Sequence, residues 1–207
     1  GKEVTASLAA KVGNAAGGLG KKVVLCRDTR ATSPILASAL SSGAMQSGAD
    51  VIDIGVGPTP LLAYITLVEK CDGAMITASH NPPEYNGIKL FSKGMEYTKE
   101  QEALVESAVS SAEKTAIWKE AGQLHRKDYA KDYIAFLLSK VDAGAISKRK
   151  PRVLVDAGNA AAYLLAPALF EAAGCQVVRV GCDKPGEFIR NLEPKPSTLA
   201  ETAAAVV

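Results

Sequence analysis

The stretch Gly73-Ala74-Met75-Ile76-Thr77-Ala78-Ser79-His80-Asn81-Pro82-Pro83-Glu84-Tyr85-Asn86-Gly87-Ile88-Lys89-Leu90-Phe91 passes from an apolar run into a polar loop and back into an apolar run. The runs Gly73 to Ile76 and Ile88 to Phe91 read as short strands, the first of them buried. Between them lie hydroxyls, an imidazole, two amides and two adjacent prolines. Pro82 and Pro83 fix φ and cut the entropy lost when the loop orders. Asn86-Gly87 is a turn signal, because both residues tolerate positive φ. A loop this polar and stiff holds Ser79 and His80 still, at the carboxyl end of a strand, where open α/β sheets bind ligands.

The same alternation extends outward. Lys22 to Cys26 and Asp50 to Ile54 read as strands. Ser33-Pro34 and Thr59-Pro60 each predict a cap followed by proline in the first helical turn. Ile35, Leu36, Ala39, Leu40 and Met45 form one apolar helix face, and Gly48 is a stop. Leu61, Leu62, Ile65 and Val68 form another. Thr98 and Gln101 form a capping box ahead of Leu104, Val105, Ala108 and Val109. Tyr129, Tyr133, Phe136, Leu137 and Val141 mark a further amphipathic helix. The β-α-β-α-β order predicts a three-layer α/β/α unit with a mixed, mostly parallel sheet.

Around residues 143–151 the pattern gives way to Gly, Ser and basic residues ending at Pro151, which predicts a linker. One domain is expected over residues 1–147, and the start of a second, similar α/β domain over 148–207. The second opens with strand Arg152 to Asp156 and turn Ala157-Gly158-Asn159, in which Asp156 orders the turn. Helix Ala160 to Ala173, strand Gln176 to Val180 and a final helix over Leu199 to Val207 follow.

Composition narrows the function classes. The 207 residues are enough for a sizeable core, and the formal net charge is +2. The only basic run, Lys148-Arg149-Lys150, reads as solvated, so nucleic acid is not an expected partner. No apolar stretch reaches the ~18 residues of a membrane span, and no secretory signal opens the chain, which starts at Gly1. The four cysteines form no C-x-x-C pair, which fits free thiols in a reducing cytoplasm, and their spacing with His80 and His125 does not suit zinc.

Thr77 to Lys89, thirteen consecutive residues, resembles the phosphoserine loop of the α-D-phosphohexomutases, the phosphoglucomutases and phosphomannomutases. Arg27-Asp28-Thr29-Arg30-Ala31-Thr32-Ser33 resembles that family's G-x-D-x-R-x-S segment, and Gly57-Pro58-Thr59-Pro60 also recurs there. The resemblance implies an intramolecular phosphotransferase of the isomerase class. It would move phosphate between C1 and C6 of glucose or mannose phosphates through a hexose 1,6-bisphosphate. By resemblance Ser79 carries the phosphoryl group, and Lys89 aids proton transfer at the sugar hydroxyl or holds phosphate charge. His80 would serve as an acid, a base or a loop anchor. Arg30 and Asn81 would join Lys89 in binding substrate; alternatively, Arg30 and Asp28 form an ion pair bracing the helix start. The cofactors implied are Mg²⁺, bound through the Ser79 phosphate and family aspartates not found in this sequence, and a hexose 1,6-bisphosphate activator. The family's N-G-A-G turn is here Asn159-Ala160-Ala161-Ala162. The alternatives are a phosphoglucosamine mutase and a non-catalytic sugar-phosphate-binding module. The chain as given is expected to be inactive alone, because the family's metal, sugar and distal phosphate loops do not appear in it.

Overall fold

The computed structural model describes residues 4–206. Its contacts divide the chain into two compact units, Gly1–Ala78 with Glu84–Asp128, and Ser79–Pro83 with Tyr129–Val207. The expected break at 147/148 falls inside the second unit, because the helix that starts at Ala130 packs within that unit.

The first unit contains α1 (Ala6–Leu19), β1 (Lys22–Arg27), α2 (Ser33–Gln46), β2 (Asp50–Val56), α3 (Thr59–Glu69) and β3 (Asp72–Ile76). It continues with β4 (Ile88–Ser92), β5 (Met95–Glu96), α4 (Lys99–Val109) and β6 (Leu124–Arg126). The strands form one sheet in the order β5-β4-β3-β1-β2-β6. β1 runs parallel to β2 and β3, β6 runs parallel to β2, and β4 and β5 are antiparallel. This is the expected mixed, mostly parallel sheet. Leu25, Val51, Ala74 and Ile76 of its central strands pack with Ala9, Leu36 and Leu40 on one face. On the other face, Gly73 leaves room for Thr66 and Leu62 of α3.

α1 has no counterpart in the sequence reading. Its run Ala6 to Leu19 is rich in Ala and Gly, and glycine costs roughly 1 kcal/mol in a helix interior. Packing supplies what propensity lacks. A Cβ on Gly13 would fall on the Leu40 carbonyl, and one on Gly43 would fall on the Ala10 carbonyl. The backbones of α1 and α2 therefore approach more closely than any larger residue allows. Two predicted caps also shift. Thr32, not Ser33, precedes α2, and makes no side-chain cap bond, while Ser33 lies in the first turn with Pro34. Thr59 is the first residue of α3 and Pro58 precedes it. The Thr98–Gln101 capping box forms as expected.

The second unit contains α5 (Ala130–Leu138), α6 (Ala143–Arg149), β7 (Arg152–Asp156), α7 (Leu165–Ala172), β8 (Gln176–Val180) and α8 (Ala200–Ala204). β7 and β8 pair in parallel, with Arg152 opposite Gln176. The predicted linker is in fact helix α6. Asp142 caps it by accepting a hydrogen bond from Ala145 N, and Lys148 and Arg149 sit in its last turn, where cations are favoured. α7 starts at Leu165 rather than Ala160, because the turn after β7 is longer than the sequence suggests. Gly158 and Asn159 hold φ of 56° and 59° there. Asp156 orders the turn by accepting from Gly158 N at 2.9 Å, Arg190 Nε at 2.9 Å and Thr202 Oγ1 at 2.6 Å. The expected final helix spans Ala200–Ala204, and Val207 lies outside the described residues.

Among the described residues no helix is long and apolar enough to cross a membrane. Cys26, Cys71, Cys175 and Cys182 are free thiols.

Two outcomes follow. Helix propensity alone would make Gly43→Ala stabilising by about 1 kcal/mol. The collision with Ala10 reverses the sign, to a loss of about 1–3 kcal/mol in denaturant unfolding. A gain in stability would contradict the close crossing of α1 and α2. Burial alone would push the Asp156 carboxyl up, but its bonds to Arg190 and Thr202 outweigh this and hold it below the usual carboxylate range. Its contribution to stability is present above the unfolded value of about pH 4 and is lost as pH falls through the depressed folded value. Acid unfolding followed through the second unit should show this loss, and Asp156→Asn should flatten it.

Candidate active site

The connection from β3 to β4 is closed at its base by the backbone. Thr77 N donates to the Gly87 carbonyl at 3.0 Å, and Ile76 pairs with Ile88. Gly87 is needed for this closure rather than for a left-handed turn. A Cβ there would lie 2.9 Å from the Thr77 carbonyl oxygen, and neither Asn86 nor Gly87 has positive φ. The left-handed residue of this loop is Ser79, at φ 57°. A serine in that region costs of order 1 kcal/mol or more, and such strain gathers at functional sites.

The foot of the loop is held by one carboxylate. Asp28 follows β1 and is 7% exposed. Its Oδ2 accepts from Thr77 Oγ1 at 2.7 Å and from Arg30 Nε at 2.9 Å. Its Oδ1 accepts from Arg30 N at 3.0 Å and from Ser33 Oγ at 2.5 Å. The Ser33 hydroxyl is therefore used here, which is why it does not cap α2. On the returning side, Arg30 Nη1 donates to the Tyr85 carbonyl at 2.9 Å. Asn86 Nδ2 donates to Thr32 Oγ1 and Ser33 Oγ, each at 2.9 Å. The Asn86 side chain also accepts from Gly87 N at 2.9 Å.

The predicted site residues separate into two groups. Ser79, His80 and Asn81 lie on the exposed tip, with Ser79 Oγ 3.4 Å from His80 Nδ1. Lys89 lies on β4, with Nζ 3.1 Å from Glu96 Oε1. Arg30 lies at the foot of the loop, beside Asp28. Its side chain is 1% exposed and is committed to Asp28 and the Tyr85 carbonyl, so of its two readings the bracing one matches this geometry. Thr77, and Asn86 beyond its expected part in a turn, hold the foot of the loop in a way the sequence reading did not foresee. The signal was available in their polar character within a segment bounded by buried strands. Burial pushes the thiols of Cys26 and Cys71 up, to about 12 and about 11, so neither offers a thiolate near neutral pH. Among the described residues no three His, Cys, Asp or Glu side chains come together to hold a metal ion.

Asp28→Asn keeps the shape but removes the charge that Arg30 is buried against. Breaking such a pair costs about 3–5 kcal/mol. Amide exchange across 77–87 should speed up more than across β2. Unchanged exchange in the loop would show that Asp28 does not hold it.

Residues 1–116 match the sequence model of phosphoglucomutase/phosphomannomutase α/β/α domain I, and residues 131–207 match that of domain II. A phosphoglucomutase/phosphomannomutase of Thermococcus kodakarensis is 44% identical over 96% of this chain and 46% of its own length. A phosphoglucosamine mutase of Methanococcus vannielii is 38% identical over 99% of this chain and 46% of its own length. The crystal structure of a phosphoglucomutase/phosphomannomutase family protein from Burkholderia thailandensis superposes with a TM-score of 0.80 at 30% identity. It is matched over 100% of this chain and 46% of its own. The chain thus spans about half the length of the curated relatives it matches. With both of its parts matched in order, the chain belongs to the phosphoglucomutase/phosphomannomutase family.

Proposed function

We propose that the protein takes part in phosphohexomutase chemistry through a phosphoryl group carried on Ser79. One observation carries this reading. Ser79 sits in a strained left-handed conformation at the exposed tip of a loop whose base is locked by buried polar bonds. That arrangement suits a group that must meet substrate in one orientation. Phosphoryl transfer asks for positioning and charge stabilisation more than for covalent machinery.

In the proposed step a sugar hydroxyl oxygen attacks phosphorus, the bond from phosphorus to Ser79 Oγ breaks, and a hexose 1,6-bisphosphate forms. The hydroxyl proton leaves to a base; Ser79 Oγ, giving up its own proton, then attacks the other phosphorus, the bond from that phosphorus to the sugar oxygen breaks, and the sugar oxygen takes up a proton. Lys89 stabilises phosphate charge or handles the proton, and His80 and Asn81 flank the phosphoryl position. Arg30 acts as a brace for the loop. The described residues do not by themselves make a magnesium site. A Ser79 phosphate would offer one oxygen to such an ion. Relatives named for glucose or mannose phosphates and for glucosamine phosphate match at 44% and 38% identity, so the proposed substrate is the class of hexose monophosphates. Free thiols are in keeping with a reducing, cytoplasmic setting.

Incubating the natural-length protein with a hexose 1,6-bisphosphate should add one phosphate, mapped to Ser79 by peptide mass and absent in Ser79→Ala. A stoichiometric phosphate elsewhere, with Ser79 bare, overturns the assignment. Lys89→Met should lower kcat by on the order of 10²–10⁴-fold while thermal unfolding stays close to wild type. Wild-type turnover in that variant would leave Lys89 as a surface residue.

A further inference from the structure

Past Lys89 the chain makes a hairpin with no assigned purpose. β4 turns through Lys93-Gly94 into the two-residue strand β5, with Phe91 opposite Glu96 and Ser92 opposite Met95. Lys93 and Gly94 have φ of 48° and 93°, the double left-handed geometry of a tight hairpin turn. The turn is anchored from outside. Gly94 N donates to Thr66 Oγ1 at 2.9 Å, and Thr66 is fully buried in α3. Beyond β5, Tyr97 N donates to the Leu90 carbonyl at 2.9 Å. Glu96 is thus held at a fixed place diagonal to Lys89 across the strands, within reach of a long side chain.

The carboxylates around Lys89 are not equivalent. Lys89, Glu96, Glu102 and Glu106 line one groove of about 290 Å³. Lys99 Nζ lies 2.6 Å from Glu102 and offsets its charge. Glu96 is the carboxylate paired with the Lys89 ammonium, at 3.1 Å. The two side chains are 44% and 51% exposed, so the pair adds little to stability. What the anchored hairpin does supply is direction, because an exposed lysine otherwise samples many rotamers.

We infer that Glu96 is a positioning residue, which aims the Lys89 ammonium and acts on phosphoryl transfer only through it. This rests on the reading of Lys89 given under the proposed function. Glu96 keeps its hold on the ammonium while substrate is bound, so its effect falls on kcat and not on KM.

The test is a double-mutant cycle on the natural-length protein, measuring hexose phosphate turnover for wild type, Glu96→Gln, Lys89→Met and the double variant, with thermal unfolding of each. Glu96→Gln should lower kcat up to about five-fold, the scale of an exposed pair, with KM unchanged within about two-fold. Glu96→Asp should recover part of the loss. In the Lys89→Met background the same substitution should change kcat by less than about two-fold, because nothing is left to aim. Equal losses in both backgrounds would make Glu96 a structural residue of the hairpin and overturn the inference. So would wild-type kcat in Glu96→Gln beside an impaired Lys89→Met. Full activity in Lys89→Met would instead overturn the role given to Lys89 itself.

Discussion

The carboxylate of Asp28 fixes where the candidate nucleophile loop begins. It lies just past the end of β1, accepts from Thr77 at the end of β3, and holds the buried Arg30, whose guanidinium reaches the returning limb of the loop at the Tyr85 carbonyl. A charge at 7% exposure is costly unless it is paired and hydrogen-bonded. Four donors from three residues meet that requirement. Breaking any one leaves a desolvated partner behind, so the group resists partial opening. The rigidity of the loop foot is therefore electrostatic, and the prolines at the tip add to it by limiting the unfolded chain.

Such a foot explains how Ser79 can stay at positive φ. Strain of about 1–3 kcal/mol survives only where the surroundings over-determine the backbone. Here the base is closed by the Thr77–Gly87 bond and by Asn86 on Thr32 and Ser33. An unstrained serine at an exposed tip would visit several orientations. A phosphoryl group passed in line to a hydroxyl needs one, since a misplaced reacting atom loses much of the roughly 7–11 kcal/mol that positioning supplies.

Sequence made the strands and the loop legible because their signals are local. β7, β8 and the Thr98 capping box were read to the residue. The misses share a cause, which is that a distant group decides the outcome. α1 is helical because Gly13 and Gly43 let it meet α2, a partner no window along the sequence contains. Ser33 has the composition of a cap, yet its hydroxyl serves Asp28. Gly87 was read as a source of conformational freedom and acts instead as a missing side chain beside the Thr77 carbonyl. α6 was read as a linker from its Gly, Ser and basic residues, although Asp142 was present to cap it. At the site, the tip residues stand out by type. The burial of Arg30 depends on Tyr85 and Asp28 together and could not be seen from either segment alone.

The two units, each taken by itself, repeat one device. In both, an aspartate at the end of the first parallel strand accepts from the amide two residues on, from an arginine and from a hydroxyl. In the first unit these are Asp28 with Arg30 N, Arg30 Nε and Thr77. In the second they are Asp156 with Gly158 N, Arg190 Nε and Thr202. The differences follow from where the partners sit in the chain. Arg30 is two residues from its aspartate and 1% exposed, whereas Arg190 comes from a distant loop and is 18% exposed. In the first unit the hydroxyl belongs to the start of the Ser79 loop, so the device sets the geometry of a site. In the second it belongs to α8, so the same bonds tie that helix to the end of β7. Shared β-α-β grammar places an acid at the strand end in both units, and the segment that brings the hydroxyl decides whether that acid steadies the Ser79 loop or a helix.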